Sequence, residues 1–176
     1  MNKMVFAKKG CIICGFPGVG KSTIAGWKRC VDLEVTNFRI DGEKKEGWYK
    51  QYGQVALDLA LQGFYVLVGT HKELRDWLRE NVHGRVYVFA IYPVKEMKED
   101  WVAKLQGRYI MTRNDKDRRT YERMKDEYEN LVDELDNDEI FERVGKIKGL
   151  KYDMEELILS IRKLVEKNGK YNLNRV

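Results

Sequence analysis

Proline is nearly absent from this chain, with two residues in 176, and cysteine and histidine are almost as scarce at three and two. Apolar runs such as Gly63–Val68 are far too short to span a bilayer, so no membrane partner is expected. The opening MNKMVFAKKG has no apolar h-region, which argues against a secretory leader. An odd cysteine count defines no disulfide framework, and a reducing cytoplasm is the expected compartment. Cys11 and Cys14 form a C-x-x-C pair, but residues three apart on a strand point to opposite faces. With two histidines and no second cysteine pair, zinc binding has little to build on. Hydrophobic residues at 43% and charged residues at 35% exclude a collagen, a low-complexity linker and a disordered tail. The length fits one domain, 1–176.

What the chain does have is charge, unevenly placed. Lysine and arginine outnumber the acids by 33 to 28, a net +5, which favours polyanionic partners such as nucleotides or nucleic acid. Between Lys104 and Arg119 stand six basic residues (Lys104, Arg108, Arg113, Lys116, Arg118 and Arg119) against Asp115 and Asp117. From Asp126 to Glu142 there are nine acids and no base. A basic segment followed by an acidic helix is not a uniform nucleic-acid stripe.

Hydrophobic periodicity alternates between strand and helix. Strands are predicted at Cys11–Cys14, Arg29–Leu33, Phe64–Val68, Arg85–Tyr92 and, at an edge, Lys146–Tyr152. Helices are predicted at Lys21–Lys28, Trp48–Leu61, Glu73–Glu80, Lys95–Leu105 and Arg118–Leu135. A last helix begins after an Asp153 N-cap and reaches about Glu166. The polar stretch Gln106–Asp117 reads as an insertion. Such alternation predicts a three-layer α/β fold around a parallel sheet.

The most specific motif is Gly15-Phe16-Pro17-Gly18-Val19-Gly20-Lys21-Ser22, which fits G-x-x-x-x-G-K-[ST] at every fixed position between a strand and a predicted helix. Glycines let the backbone turn its N–H groups around phosphate oxygens, and a following helix would add positive potential. Lys21 is expected to reach the β- and γ-phosphates of ATP, Ser22 to hold Mg²⁺ and Thr23 to touch the α-phosphate. A GTPase reading fails because Asn114-Asp115-Lys116-Asp117 misses N-K-x-D at its second position. The strand Phe64–Val68 runs into Gly69-Thr70-His71 and the next into Pro93, so neither ends in the carboxylate that a motor ATPase needs.

A carboxylate pair does stand at the second strand's end. Asp32 and Glu34 alternate and can share a face. Strand ends beside a phosphate loop form the usual ligand edge. Asp32 is therefore expected to orient Mg²⁺ through water, or the acceptor, with Glu34, Arg39 and Arg75 as acceptor contacts. Trp48, Tyr49 and Tyr52 offer stacking surfaces, though the helical spacing of Trp48 and Tyr52 reads as core. His71 could hydrogen-bond a substrate.

The G-x-P-G-x-G-K-S-T loop, the acid after strand two and the basic segment after strand four resemble the P-loop nucleoside and nucleotide kinases. Asp32–Phe38 (DLEVTNF), Thr70–Arg75 (THKELR) and Tyr92 through Arg108 are similar to small adenylate-kinase-like proteins of phages and bacteria. The resemblance implies a five-stranded parallel sheet of order 2-3-1-4-5 and a mobile lid at Gln106–Asp117. Lid arginines would stabilise the transferred phosphoryl, Arg108 first, then Arg113 and Arg118. Two motifs of adenylate kinases are missing: D-G-[FY]-P-R after strand three, and paired lid arginines. The expected activity is ATP- and Mg²⁺-dependent transfer to a small nucleotide, a nucleoside monophosphate above others. The alternatives are a polynucleotide 5′-kinase and a nucleotide-binding module without transfer.

Overall fold

The computed structural model describes residues 10–39 and 43–171, with side chains to residue 167. The opening segment read above for a leader lies outside the described residues. Five strands form one all-parallel sheet: β1 (Cys11–Gly15), β2 (Cys30–Asp32), β3 (Tyr65–Val68), β4 (Tyr87–Pro93) and β5 (Arg143–Ile147). Their spatial order is β2-β3-β1-β4-β5, as expected. Every residue of β1 and β3 is buried, which suits strands covered on both faces. Cys14 lies within electrostatic reach of Arg75 and Asp138, and Cys11 of Arg162, so the two thiols serve opposite faces of β1.

Five helices complete the fold: α1 (Trp48–Leu61), α2 (Lys72–Asn81), α3 (Lys98–Thr112), α4 (Asp115–Asp136) and α5 (Met154–Tyr171). Helix α1 packs on β1, β3 and α2, and α4 packs on β4. The approach of α1 to α2 depends on Gly53, where a Cβ would stand 2.3 Å from the Trp77 ring. Helix α5 covers the opposite face, with Arg162 over the Tyr65 ring at 4.9 Å. Asp153 caps it as the sequence predicts, accepting from the Glu155 amide at 2.8 Å. Among the described residues, no helix is long and apolar enough to cross a membrane.

Three predicted elements come out differently. The helix expected over Lys21–Lys28 is reduced to 3₁₀ turns at Lys21–Thr23 and Trp27–Arg29. Gly26 sits in the left-handed region at φ 83° and donates to Cys30 O at 2.8 Å, folding the chain straight back into β2. Ser22, Thr23 and Ile24 add little helix propensity to resist that turn. Second, Gln106–Asp117 is not a loop. Helix α3 runs two turns further than its apolar stripe, and only Arg113 and Asn114 separate it from α4. Arg113 takes the left-handed C-cap position at φ 53°, and Asn114 caps α4 by accepting from the Asp117 amide at 2.8 Å. Asp117, 4% exposed, accepts from Thr112 at 2.7 Å and pairs with Arg108 at 2.9 Å, which pins the junction. Third, β5 is Arg143–Ile147 rather than Lys146–Tyr152, in register from Phe89↔Arg143 to Pro93↔Ile147. Its mostly exposed, polar residues give little strand signal, so pairing with β4 decides its position.

Arg75 of α2 ties this face together. It is 3% exposed, donates to Thr70 O at 3.3 Å and pairs with Glu134 at 2.7 Å and with Asp138, both beyond or at the end of α4. Removing one member of a buried ion network leaves the others uncompensated. Arg75→Met is therefore expected to destabilise the fold by about 3 kcal/mol or more, a drop of roughly 6–12 °C in Tm. Calorimetry checks this, and a drop under about 2 °C contradicts it.

Candidate functional site

A cleft of about 990 Å³ opens where the C-terminal ends of β1, β2 and β3 meet α4. That is the top of the range for small-molecule sites, about 300–1,000 Å³. Its floor is the glycine-rich loop Gly15–Ser22, and the backbone there has a definite orientation. Pro17 O accepts from the Trp101 indole at 2.9 Å, Gly18 O from the Lys104 ammonium at 2.9 Å, and Val19 O from the Tyr152 hydroxyl at 2.9 Å. All three donors lie behind the loop. In a trans peptide the N–H points opposite the C=O, so the Gly18, Val19 and Gly20 amides turn the other way. The Val19 amide closes a turn onto Phe16 O at 3.2 Å. Those of Gly18, Gly20, Lys21 and Ser22 have no hydrogen-bond acceptor among the described residues. Gly18 and Gly20 hold φ of 85° and 93°, and alternation of this kind builds an anion-binding concavity.

Side chains then populate the cleft. Lys21 Nζ donates to Gly15 O at 3.1 Å. Burial pulls its pKa down, and Asp32 and Glu34 pull it back up. Asp32 projects from the end of β2, and its Oδ1 is buried without a partner. Burial raises its pKa, with Lys21 opposing and Glu34 reinforcing the shift. Leaving a buried oxygen unsatisfied costs about 1–3 kcal/mol, so this atom marks a place shaped for a ligand. Across the cleft mouth Glu34 pairs with Lys116 of α4 at 2.9 Å. Arg39 also lines the cleft, and its Nε is buried and unpartnered. His71 accepts from, or donates to, Lys44 at 3.2 Å and meets the Trp48 ring edge-on at 5.0 Å. Burial, then Lys44, Arg123, Lys21 and Arg39, push its pKa down to about 3. The imidazole is therefore neutral in a strongly positive setting.

The cleft brings together Gly15, Pro17, Gly18, Gly20, Lys21, Ser22, Asp32, Glu34, Arg39 and Arg108 of the residues singled out by sequence. Val19 is instead a core residue, 1% exposed, and Thr23 spends its hydroxyl on Gly20 O at 2.6 Å. Arg75 lies outside the cleft, held by its carboxylates. Arg113 is a helix cap, and Arg118 pairs with Asp115 and Glu122 on the outer face of α4. Tyr52 lines the cleft, donating to Leu33 O at 2.6 Å and accepting from the Gly69 amide at 3.1 Å, so it braces the ends of β2 and β3.

Lys44, Arg119 and Arg123 line the cleft without having been singled out for it. For α4 the signal was phase. Thr120, Arg123, Glu127, Asn130 and Glu134, all on the cleft, each directly precede a residue of the apolar stripe (Tyr121, Met124, Tyr128, Leu131, Leu135). Arg118 falls on the other side of that stripe. Lys44 follows the chain segment 40–42 and carries no periodic signal.

No protein-family model matches this chain, and no curated protein matches it in sequence.

Because Asp32 is harder to ionise in the fold than in the unfolded chain, its charge costs stability at neutral pH. Asp32→Asn is expected to unfold at the same or a higher temperature than the wild type at pH 7 without nucleotide. The advantage should vanish toward pH 4, where the unfolded carboxyl, of pKa about 3.9, also protonates. Melting curves across that range test the sign, and a lower midpoint for the variant at pH 7 contradicts it.

Proposed function

We propose that the protein is an ATP- and Mg²⁺-dependent phosphotransferase of the P-loop kinase type that acts on a small nucleotide, a nucleoside monophosphate. The observation that carries this reading is the glycine-rich loop. Its free amides face a cleft whose nearest side chains are a lysine and an unpartnered carboxylate. Amides of Gly18, Gly20, Lys21 and Ser22 would cradle the phosphates, with Lys21 Nζ as the mobile cation. The turn after the loop is too short for a helix dipole to add much, so binding rests on the amides and on Lys21.

The residues present fit a magnesium ion. Ser22 and Asp32 share the cleft, and the orphaned Asp32 Oδ1 is an oxygen donor of the hard type the ion prefers. Among the described residues no three His, Cys, Asp or Glu side chains form a cage, which suits an ion that arrives on the triphosphate and keeps most of its waters. Bound there, Mg²⁺ would neutralise charge on the phosphates. Asp32 would orient its water or the attacking hydroxyl. Arg108, Arg119 and Arg123 face the cleft and are placed to balance charge on the moving phosphoryl, while Arg39 would serve the acceptor.

A small acceptor is favoured because cations on the cleft wall alternate with Glu34, Glu73, Asp117, Glu127 and Glu134. A long polyanion would meet these carboxylates repeatedly. A coupled ADP-release assay over nucleoside monophosphates and a 5′-hydroxyl oligonucleotide tests the reading. Lys21→Ala should reduce transfer by about 10³ or more. Asp32→Asn should lower kcat far more than it weakens ATP binding. Preference for the oligonucleotide, with steep salt dependence, points to a polynucleotide kinase. Tight ATP binding with no turnover on any acceptor points to a binding module.

A further inference from the structure

The outer side of the glycine-rich loop carries a built arrangement that the proposed chemistry does not use. Trp101, Lys104, Leu105 and Arg108 form one stripe of α3, spaced i, i+3, i+4 and i+7. Three of them meet the back of the loop, and Arg108 reaches the cleft. Trp101 is fully buried and stacks with Tyr152 at 6.0 Å between centroids and 19° between planes. The Lys104 ammonium sits 4.1 Å from the Trp101 centroid and 5.0 Å from that of Tyr152. It donates to Gly18 O and to the Tyr152 hydroxyl, each at 2.9 Å, and that hydroxyl donates onward to Val19 O. Leu105 lies so close that a Cβ on Gly18 would stand 2.7 Å from it. The loop is thus gripped from α3 and from the segment between β5 and α5. Little else supports it, since the structure that follows is a single 3₁₀ turn.

We propose that Trp101, Lys104 and Tyr152 are positioning residues for the triphosphate: a stacked aromatic–cation–aromatic unit that holds the loop's amides toward the cleft, in the role a longer following helix would have filled. This rests on the proposed nucleotide binding, and goes beyond it by assigning the loop's preorganisation to three side chains outside the cleft. Carbonyls satisfied from behind cannot flip into the cleft without breaking hydrogen bonds, one of them to a charged donor. Truncating that donor leaves a carbonyl free to rotate, and rotation would carry its oxygen toward the phosphates. The unit also links the loop to the α3–α4 hairpin, so a shift of that hairpin would be felt at the amides.

The test uses the full chain with Lys104→Met, Tyr152→Phe, Lys104→Arg and, as a control for lost charge, the exposed Lys151→Met. Calorimetric titration with Mg²⁺·ATP reads affinity, NMR amide exchange at Val19 reads the loop without ligand, and melting reads global stability. Lys104→Met and Tyr152→Phe are expected to weaken ATP binding about tenfold, the effect of losing one hydrogen bond to or from this charged unit. They should also speed Val19 exchange about tenfold, with the midpoint within about 2 °C of wild type. Lys104→Arg should restore most of both, because a guanidinium can stack and donate in the same place. Lys151→Met should change neither. Tyr152→Phe removes one oxygen, so it keeps the test alive should Lys104→Met fold poorly. Unaltered exchange at Val19 in both variants overturns the proposal, as does a loss that Lys151→Met reproduces. Should the wild type itself bind no ATP, the nucleotide reading falls, and the exchange measurement still decides whether the unit holds the loop.

Discussion

The structure turns on the direction in which three peptide planes face. A glycine-rich loop can present amides to an anion only if its carbonyls find partners elsewhere, because each plane carries both groups. Here the carbonyls of Pro17, Gly18 and Val19 are occupied by Trp101, Lys104 and Tyr152. That single requirement explains why α3 carries a lysine on an otherwise apolar inward face. It explains why Tyr152 is placed just before α5, and why Gly18 admits no side chain against Leu105. It also makes the fold on that side inseparable from the site: α3 packs on the loop rather than merely beside it.

Charge in the molecule divides by what satisfies it. Arg75 has its three donor nitrogens committed to Thr70 O, Glu134 and Asp138, and Arg118 is tied to two neighbours on its own helix. These are groups whose work is done within the fold. Asp32 Oδ1 and Arg39 Nε are buried and uncommitted, and burial pushes both Lys21 and Asp32 toward neutrality. Native interiors seldom leave such atoms without partners. Their concentration on one cleft wall is a local cost in stability of the kind that accompanies function. His71 fits the same picture from the other direction, kept neutral by the cations around it.

Much of this was legible in the sequence. The β1 apolar run, the α1 stripe from Trp48 to Leu61 and the Asp153 cap follow from local chemistry, and the alternation of elements led to the parallel sheet. What stayed hidden was set by tertiary contact or by turn geometry. The predicted helix at Lys21–Lys28 yields to Gly26 and to the short path into β2. The predicted lid at Gln106–Asp117 looked like a loop because Gln106–Thr112 has no apolar stripe. Yet helical backbone needs no buried face where a partner helix and a capped junction hold it, and the Asp117 carboxylate supplies that junction. Strand β5 had no pattern of its own and takes its position from β4.

The same distinction governs which basic residues matter. Sequence density placed the cluster around Arg108–Arg119, but density cannot tell one side of a helix from another. A turn of 100° per residue separates Arg118 from Arg119, and it places the first among carboxylates outside and the second on the cleft. On α4 the polar residue just before each core position faces inward to the cleft, and the one just after faces solvent. The acidic tract that looked like a solvated face is therefore partly a cleft wall: Glu127 and Glu134 line it while Glu122 and Glu129 do not. With carboxylates spaced among its cations, that wall repels a continuous polyanion and still leaves room for a compact one gathered at the loop, where the free amides are.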